Sequence, residues 1–222
     1  MFILYAVLLG LVLGFVLGGR LSGLATVDFH WPWLAIGGFV VQLVLFADPV
    51  RSIVGDLGPP LYVASTGAVL IAVIRNIRVP GMALVAVGAG ANLAAIVANG
   101  GFMPASQAAF EALGSGLNAG YTNSTIVADP ALEPLTDVYS LPTWLPFANV
   151  FSIGDVFIAI GVVIVIVSAM RSWRVADIAQ PDPLAAGEVR APVPAPVPAP
   201  SPRTPQRTTR RWRFLPPNRP RS

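Results

Sequence analysis

Cysteine is absent from the chain and histidine occurs once, at His30. The first absence excludes disulfides, thiol catalysis and thiolate metal sites. The second leaves no basis for a histidine-built metal centre, so no metal is expected. Lysine is missing too, and all 14 basic residues are arginine. Charge of either sign is scarce. Charged residues make up 11% of the 222 positions while 55% are hydrophobic, whereas a soluble domain carries roughly 25% charged residues. Mean hydropathy is +0.69. A surface so poor in charge is expected to face hydrocarbon rather than water. The sequence pI of about 9.9 misdescribes this part of the chain, because eight of the 14 arginines lie in the last 33 residues.

What is present is apolar sequence in lengths suited to a bilayer, for which about 20 residues suffice. Five stretches qualify, at residues 2–19, 31–47, 59–74, 79–98 and 151–170. The first has no positive charge ahead of its apolar run, and Arg20 follows it, so a retained helix is expected rather than a cleaved signal. Arginines fix the orientation. Arg20, Arg75, Arg78, Arg171 and Arg174 share one side if five helices cross, and only Arg51 falls on the other. The expected fold is therefore an all-α membrane protein with five transmembrane helices, N-terminus outside and C-terminus cytoplasmic. Residues 1–174 form the membrane domain. The external loop at 99–150 has four acids and no base.

Within that loop, residues 105–113 read as a short helix capped by Ser106. Residues 114–125 are rich in Gly, Ser and Asn and read as flexible. Residues 135–147, with Tyr139, Trp144 and Phe147 among prolines, read as an interfacial segment. Residues 175–222 read as a disordered cytoplasmic tail. Its run APVPAPVPAPSP at 191–202 suits polyproline II and cannot bury a core. Arg203, Arg207, Arg210, Arg211 and Arg213 follow and are candidates for contact with anionic inner-leaflet lipids. The alternative is a solvated tail that only reinforces topology. The bilayer and an unidentified protein are the expected partners; no nucleic acid and no cofactor are expected.

Few residues carry chemistry. Ionisable groups in membrane segments are costly and invite a functional reading. Asp155 alone sits in the apolar register of a helix, near the outer end of the fifth stretch. There a carboxylate also suits the helix dipole and can cap free amides. Asn92 lies in Gly88-Ala89-Gly90-Ala91-Asn92, where small residues allow a neighbouring helix to approach and the amide needs a partner across it. Asn99, with Gly100 and Gly101, reads as a helix terminator and tight turn leading to Pro104. His30 is expected at the inner interface beside Trp31 and Trp33, and Gln42 in a helix–helix contact.

Three segments together resemble a family of bacterial membrane proteins catalogued as domain of unknown function 5317. They are LGLVLGFVLGGRLSGLA at 9–25, the helix exit from Asn92-Leu93 through Asn99-Gly100-Gly101-Phe102-Met103-Pro104, and Phe151-Ser152-Ile153-Gly154-Asp155-Val156-Phe157-Ile158 followed by Gly161. The resemblance covers residues 1–172 and implies a multi-pass protein of the bacterial plasma membrane, with no activity attached. The last segment also resembles the Phe-Asn-x-Ala-Asp-x-x-Ile pattern of lipoprotein signal peptidase, with Ser152 in place of Asn and Gly154 in place of Ala. That likeness implies Asp155 as one acid of an aspartyl dyad. No Asp-Arg follows Gly90-Ala91-Asn92, so Asp137 is the nearest second acid. Two close carboxylates could share a proton while one activates water. Three functions are thus open: a non-enzymatic envelope scaffold or interaction subunit, which leads; an intramembrane aspartyl hydrolase; and a small transporter or lipid-handling protein, for which 88–92 is the one candidate helix break.

Overall fold

The computed structural model describes residues 2–47, 50–113 and 124–172. Residues 114–123 of the flexible segment expected at 114–125, and the whole proline- and arginine-rich tail, lie outside the described residues. Five apolar helices dominate: α1 (Phe2–Val16), α2 (Pro32–Leu45), α4 (Gly58–Arg75), α5 (Met82–Ala98) and α7 (Ile153–Arg171). Two short ones, α3 (Val50–Ile53) and α6 (Gln107–Ala112), are the other α-helices among the described residues. The run Gly55–Arg75 and the helix Ile153–Arg171 are long and apolar enough to cross a membrane, by length and composition. α1, α2 and α5 are shorter apolar helices of the same character.

Local chemistry sets the ends. Proline occupies the first turn of α2 and of α4, where its fixed φ suits the helix and its missing N–H has no role to fill. α5 ends on a Schellman motif. Asn99 is the C-cap, Gly101 N–H donates to Ile96 O at 2.8 Å and Gly100 N–H to Val97 O at 3.3 Å. Gly100 has φ +71°, a conformation open to glycine at little cost.

The main helix contacts run α2 on α4, α4 on α5, α5 on α7 and α7 on α1. Antiparallel packing of α2 and α4 follows from Gly38 lying against Ser65 and Val69 while Phe46 packs edge-on to Tyr62, ring centroids 5.0 Å apart. Gln42 Nε2 donates to Thr66 Oγ1 across the same interface at 3.2 Å. α1 runs parallel to α7. Phe2 stacks on Phe151 at 4.3 Å, Gly10 faces Ile166 and Gly14 faces Met170. After α1, the 3-10 turn Leu21–Thr26 wraps the far end of α7, and Arg20 N–H caps the Met170 carbonyl at 2.8 Å.

One buried cluster joins Leu45, Tyr62, Ala95, Ile96 and Met103. A second, of Ala105, Ala109 and Val150, sits under α6. Much of the remaining apolar surface is open, with Trp33 at 80% exposure and Leu43 at 74%. Large open apolar faces mark a surface that meets something other than water.

The segment between α5 and α7 carries two small sheets absent from the sequence reading. Strands β1 (Met103–Ala105) and β2 (Ser124–Ile126) pair in parallel, and β3 (Tyr139–Ser140) and β4 (Val150–Phe151) antiparallel. Ala105, expected in the short helix, is therefore the end of β1, and Thr125, expected in a flexible run, is in β2. Ser106 does cap α6: its Oγ accepts from Ala109 N–H at 3.1 Å.

Two asparagines repeat one device. Asn76, the C-cap of α4, donates from Nδ2 to Ala72 O at 2.8 Å and His30 O at 2.7 Å, and accepts from His30 N–H at 2.7 Å. Asn99 does the same with Ala95 O, Ala131 O and Ala131 N–H, each at 2.8 Å. Each amide closes its own helix and pins a distant backbone like a one-residue strand. Asn76 is buried, Asn99 half-exposed. Replacing Asn76 by alanine is expected to destabilise by about 2 kcal/mol, and Asn99 by about 1 kcal/mol, because burial magnifies the loss of partners. Thermal unfolding of the two variants in detergent checks the order.

Candidate functional site

At the end of the molecule where α7 begins, three residues close a ring of four hydrogen bonds. Ser152 is the N-cap of α7, in extended conformation, and its Oγ accepts from Asp155 N–H at 3.1 Å. Asp155 returns the bond, Oδ2 accepting from Ser152 N–H at 3.1 Å. This is a capping box, which satisfies two amides that a helix start otherwise leaves free. Sequence alone suggested Asp155 as a possible cap; the cap itself is Ser152, and Asp155 is its reciprocal partner. Asn92, on α5, ties the box across the helix interface. Its Nδ2 donates to Asp155 Oδ1 at 2.9 Å, and its Oδ1 accepts from Ser152 Oγ at 2.9 Å. Ser152 is fully buried. Each carboxylate oxygen of Asp155 therefore has a protein donor.

The backbone approach that makes this possible depends on glycine. A Cβ at Gly154 would overlap the Asn92 amide and lie 2.8 Å from Gly88 O. Below it the seam repeats. Gly88 and Gly81 on α5 face Gly154 and Gly161 on α7, both pairs seven residues apart, and each Cβ would strike backbone of the opposing helix. α5 is continuous through 88–92, so the expected candidate for a helix break is instead the surface on which α7 rests.

Asp137 is placed differently. Its N–H donates to Pro104 O at 2.9 Å, its carbonyl accepts from Ser106 N–H at 3.1 Å, and it bridges Ala105. It is 5% exposed. It belongs to the extension of the β1 sheet, with the fully buried Pro104 beside it, and is not one of the groups bonded to the Asp155 carboxylate. Gly101 packs its backbone against Pro59, which seats the exit of α5 on the start of α4. The structure thus brings together Asn92, Ser152, Gly154 and Asp155, and separately joins Asn99, Gly100, Gly101, Pro104 and Asp137 through the chain that leaves α5. Arg203, Arg207, Arg210, Arg211 and Arg213 lie outside the described residues.

The opposite end of α7 holds a cavity of about 880 Å³ that sequence reading did not find. Four segments converge on it: the turn before α2, the end of α4, the link to α5 and the last turn of α7. His30, Trp31, Arg75, Arg78 and Ser168 of α7 all line it. Asn76 fixes the His30 backbone by both its N–H and its carbonyl. The next residue, Trp31, takes φ +56° and ψ +44°, a left-handed conformation costly for a large side chain. Its ring lies under the Arg75 guanidinium, 5.9 Å from centroid to Cζ. The one sequence hint was His30 beside Trp31; nothing linked either to Arg75, 44 residues on.

Over residues 26–167 the chain matches the family of unknown function DUF5317, and it belongs to that family. The matched range contains the Asn92–Pro104 and Phe151–Gly161 segments and begins after the amino-terminal segment at 9–25. No curated protein and no solved structure matches the chain.

Proposed function

We propose that this member of DUF5317 is a multi-pass protein of the bacterial plasma membrane that works without catalysis, as an envelope scaffold. In this reading its five apolar helices cross the bilayer, the sheet-bearing segment at 99–150 lies outside, and the Arg75 end faces the cytoplasm. What supports the crossing is the parallel alignment of α1 and α7, the first and last apolar helices. Parallel first and last spans require an odd total, here with α2, α4 and α5 as three crossings between them, which five spans supply and four do not. The arginine distribution supports the same orientation independently. The open apolar faces of α1 and α2 suit acyl chains, since helices satisfy their backbone internally and need no water there.

The observation that carries the scaffold reading is the use made of Asp155. The acid's two oxygens accept from Ser152 N–H and Asn92 Nδ2, and the ring of four hydrogen bonds ties α7 to α5. A base that activates water needs an oxygen aimed at that water. The outer segment and the tail are then the two surfaces offered to partners, one on each side of the membrane.

The absence of cysteine makes the topology directly testable. Single cysteines at Ala108, Ser22 and Ile77, all exposed, leave no background thiol. An impermeant maleimide applied to intact cells is expected to label Ala108→Cys, and to reach Ser22→Cys and Ile77→Cys only after permeabilisation. Labelling of Ile77→Cys from outside overturns the orientation. The scaffold reading itself is tested by deleting residues 181–222. Loss of a copurifying protein, with the membrane domain still folded, is the expected result.

A further inference from the structure

The cavity at the Arg75 end has more chemistry than a scaffold requires. Its volume, about 880 Å³, falls within the roughly 300–1,000 Å³ of small-molecule sites. Its charge is unbalanced. Arg75, Arg78 and Asp28 all line it, all are exposed, and none has an ion-pair partner among the described residues. Two positive charges and one negative leave one positive. Guanidinium groups fit phosphate oxygens with paired donors. Arg75 is further restrained by the Trp31 ring beneath it, which lowers the ordering needed on binding. The half-buried Ser168 hydroxyl in the lining has no protein partner among the described residues, so one more donor is open. The flanks are apolar, formed by Ile71, Ile74 and Val165.

These features favour one class of ligand: a monoanionic phosphodiester carrying apolar substituents. The net charge of the lining matches a single negative charge, the arginines and Ser168 match the phosphate oxygens, and the apolar flanks match the rest of an amphiphile. Strain at Trp31, held in place by the Asn76 bonds to His30, sets the ring where it supports Arg75. We propose that the cavity lined by Trp31, Arg75, Arg78 and Ser168 is a binding site for a phosphodiester headgroup of net charge −1, with the anionic glycerophospholipids of the surrounding leaflet as its source. The proposal rests on the membrane orientation given above, which places this end at the cytoplasmic leaflet.

The test uses the full chain in detergent, titrated with short-chain phosphatidylglycerol, short-chain phosphatidylcholine and inorganic phosphate, with binding read by calorimetry. Phosphatidylglycerol is expected to bind, and the Arg75→Gln/Arg78→Gln double variant to weaken it by about tenfold to thirtyfold, the loss for two basic groups worth about 1 kcal/mol each. Arg171→Gln, an exposed cation that does not line the cavity, is expected to stay within about twofold, as a solvent-screened charge outside the site should. Ser168→Leu fills the cavity without changing charge and is expected to weaken binding as strongly as the double variant. Displacement of phosphatidylglycerol by inorganic phosphate at similar concentration would make free phosphate the ligand; persistence of the lipid assigns the leaflet as the source. Equal binding by wild type and double variant, equal loss in Arg171→Gln, or phosphatidylcholine binding as tightly as phosphatidylglycerol overturns the site. Cysteine labelling keeps the two proposals apart. Unchanged labelling with no lipid binding removes the site alone, while reversed labelling removes the orientation.

Discussion

Replacement of Gly88 by valine is expected to separate α5 from α7 and leave no folded protein to purify, while alanine at Gly90, two residues on, leaves it intact. A Cβ at Gly88 would stand 2.8 Å from Ile158 Cγ1 and 2.9 Å from Ile158 N, and closer still to Gly154 O. Two of those atoms are backbone and cannot rotate away. The opposite face is as tight: a Cβ at Gly161 would meet Gly81 O at 2.7 Å and Val85 N at 2.8 Å. Relief requires the helix axes to move apart, and the seam is a unit, so the gap opens along its length. Overpacking a rigid core costs about 1–3 kcal/mol and sometimes more. Here the upper end applies, because the atoms struck include backbone of the opposing helix, which cannot give way without moving its axis. At Gly90 nothing lies within 4 Å of the added carbon. Alanine there is expected to be neutral or to stabilise by up to about 1 kcal/mol, the helix-propensity gain over glycine. Yield, size-exclusion profile and melting temperature in detergent decide the matter. A Gly88→Val protein that elutes and melts like the wild type would show that the helices do not approach as described.

The contrast between Gly88 and Gly90 marks how far sequence could lead. The run Gly88 to Asn92 identified a face of small residues and an amide in need of a partner, both local properties. Which glycine faces the neighbour depends on the rotation of α5 against α7, a tertiary quantity. The spacing of seven in Gly81/Gly88 and in Gly154/Gly161 is visible in the sequence, but its meaning needs the two helices to be antiparallel. Helix positions were legible because apolar runs of this length have few alternatives, and ends differ by one to three residues where caps decide. The β1–β2 and β3–β4 pairs were not legible. At two or three residues each they show no alternation, and β1 contains a proline. Asn76 was passed over because a lone asparagine at a helix end is common; its role appears only when His30, 46 residues away, is placed beside it. The cavity was hidden for the same reason, being made of four segments that have no shared sequence signal.

Moving the acid is the sharpest test of the Asn92–Ser152–Asp155 ring. Asp155→Ala removes both acceptors, stranding Ser152 N–H and Asn92 Nδ2, and is expected to destabilise by about 3 kcal/mol, the sum for two donors left unpaired in a largely buried place. Asn92→Asp is expected to be as harmful near neutral pH. It sets a second carboxylate where Asn92 Nδ2 meets Asp155 Oδ1 at 2.9 Å, and two acids so close cannot both ionise. Its loss should shrink as pH falls and one acid takes a proton that the pair can share. The double variant Asn92→Asp/Asp155→Asn reverses one bond and keeps the rest. Asn at 155 donates to the acid at 92, Ser152 Oγ still donates to position 92, and Ser152 N–H still finds an acceptor at 155. Most of the stability is expected to return, giving a coupling of about 2 kcal/mol in a double-mutant cycle. A structural ring keeps most of its stability whichever helix carries the charge, less the helix-dipole preference for an acid at the start of α7. A catalytic carboxylate does not keep its activity when moved, because its position relative to substrate defines its role. Recovery of folding together with cellular function in the double variant therefore identifies Asp155 as a fastener; recovery of folding with function still lost would make it a reacting group and overturn the scaffold reading.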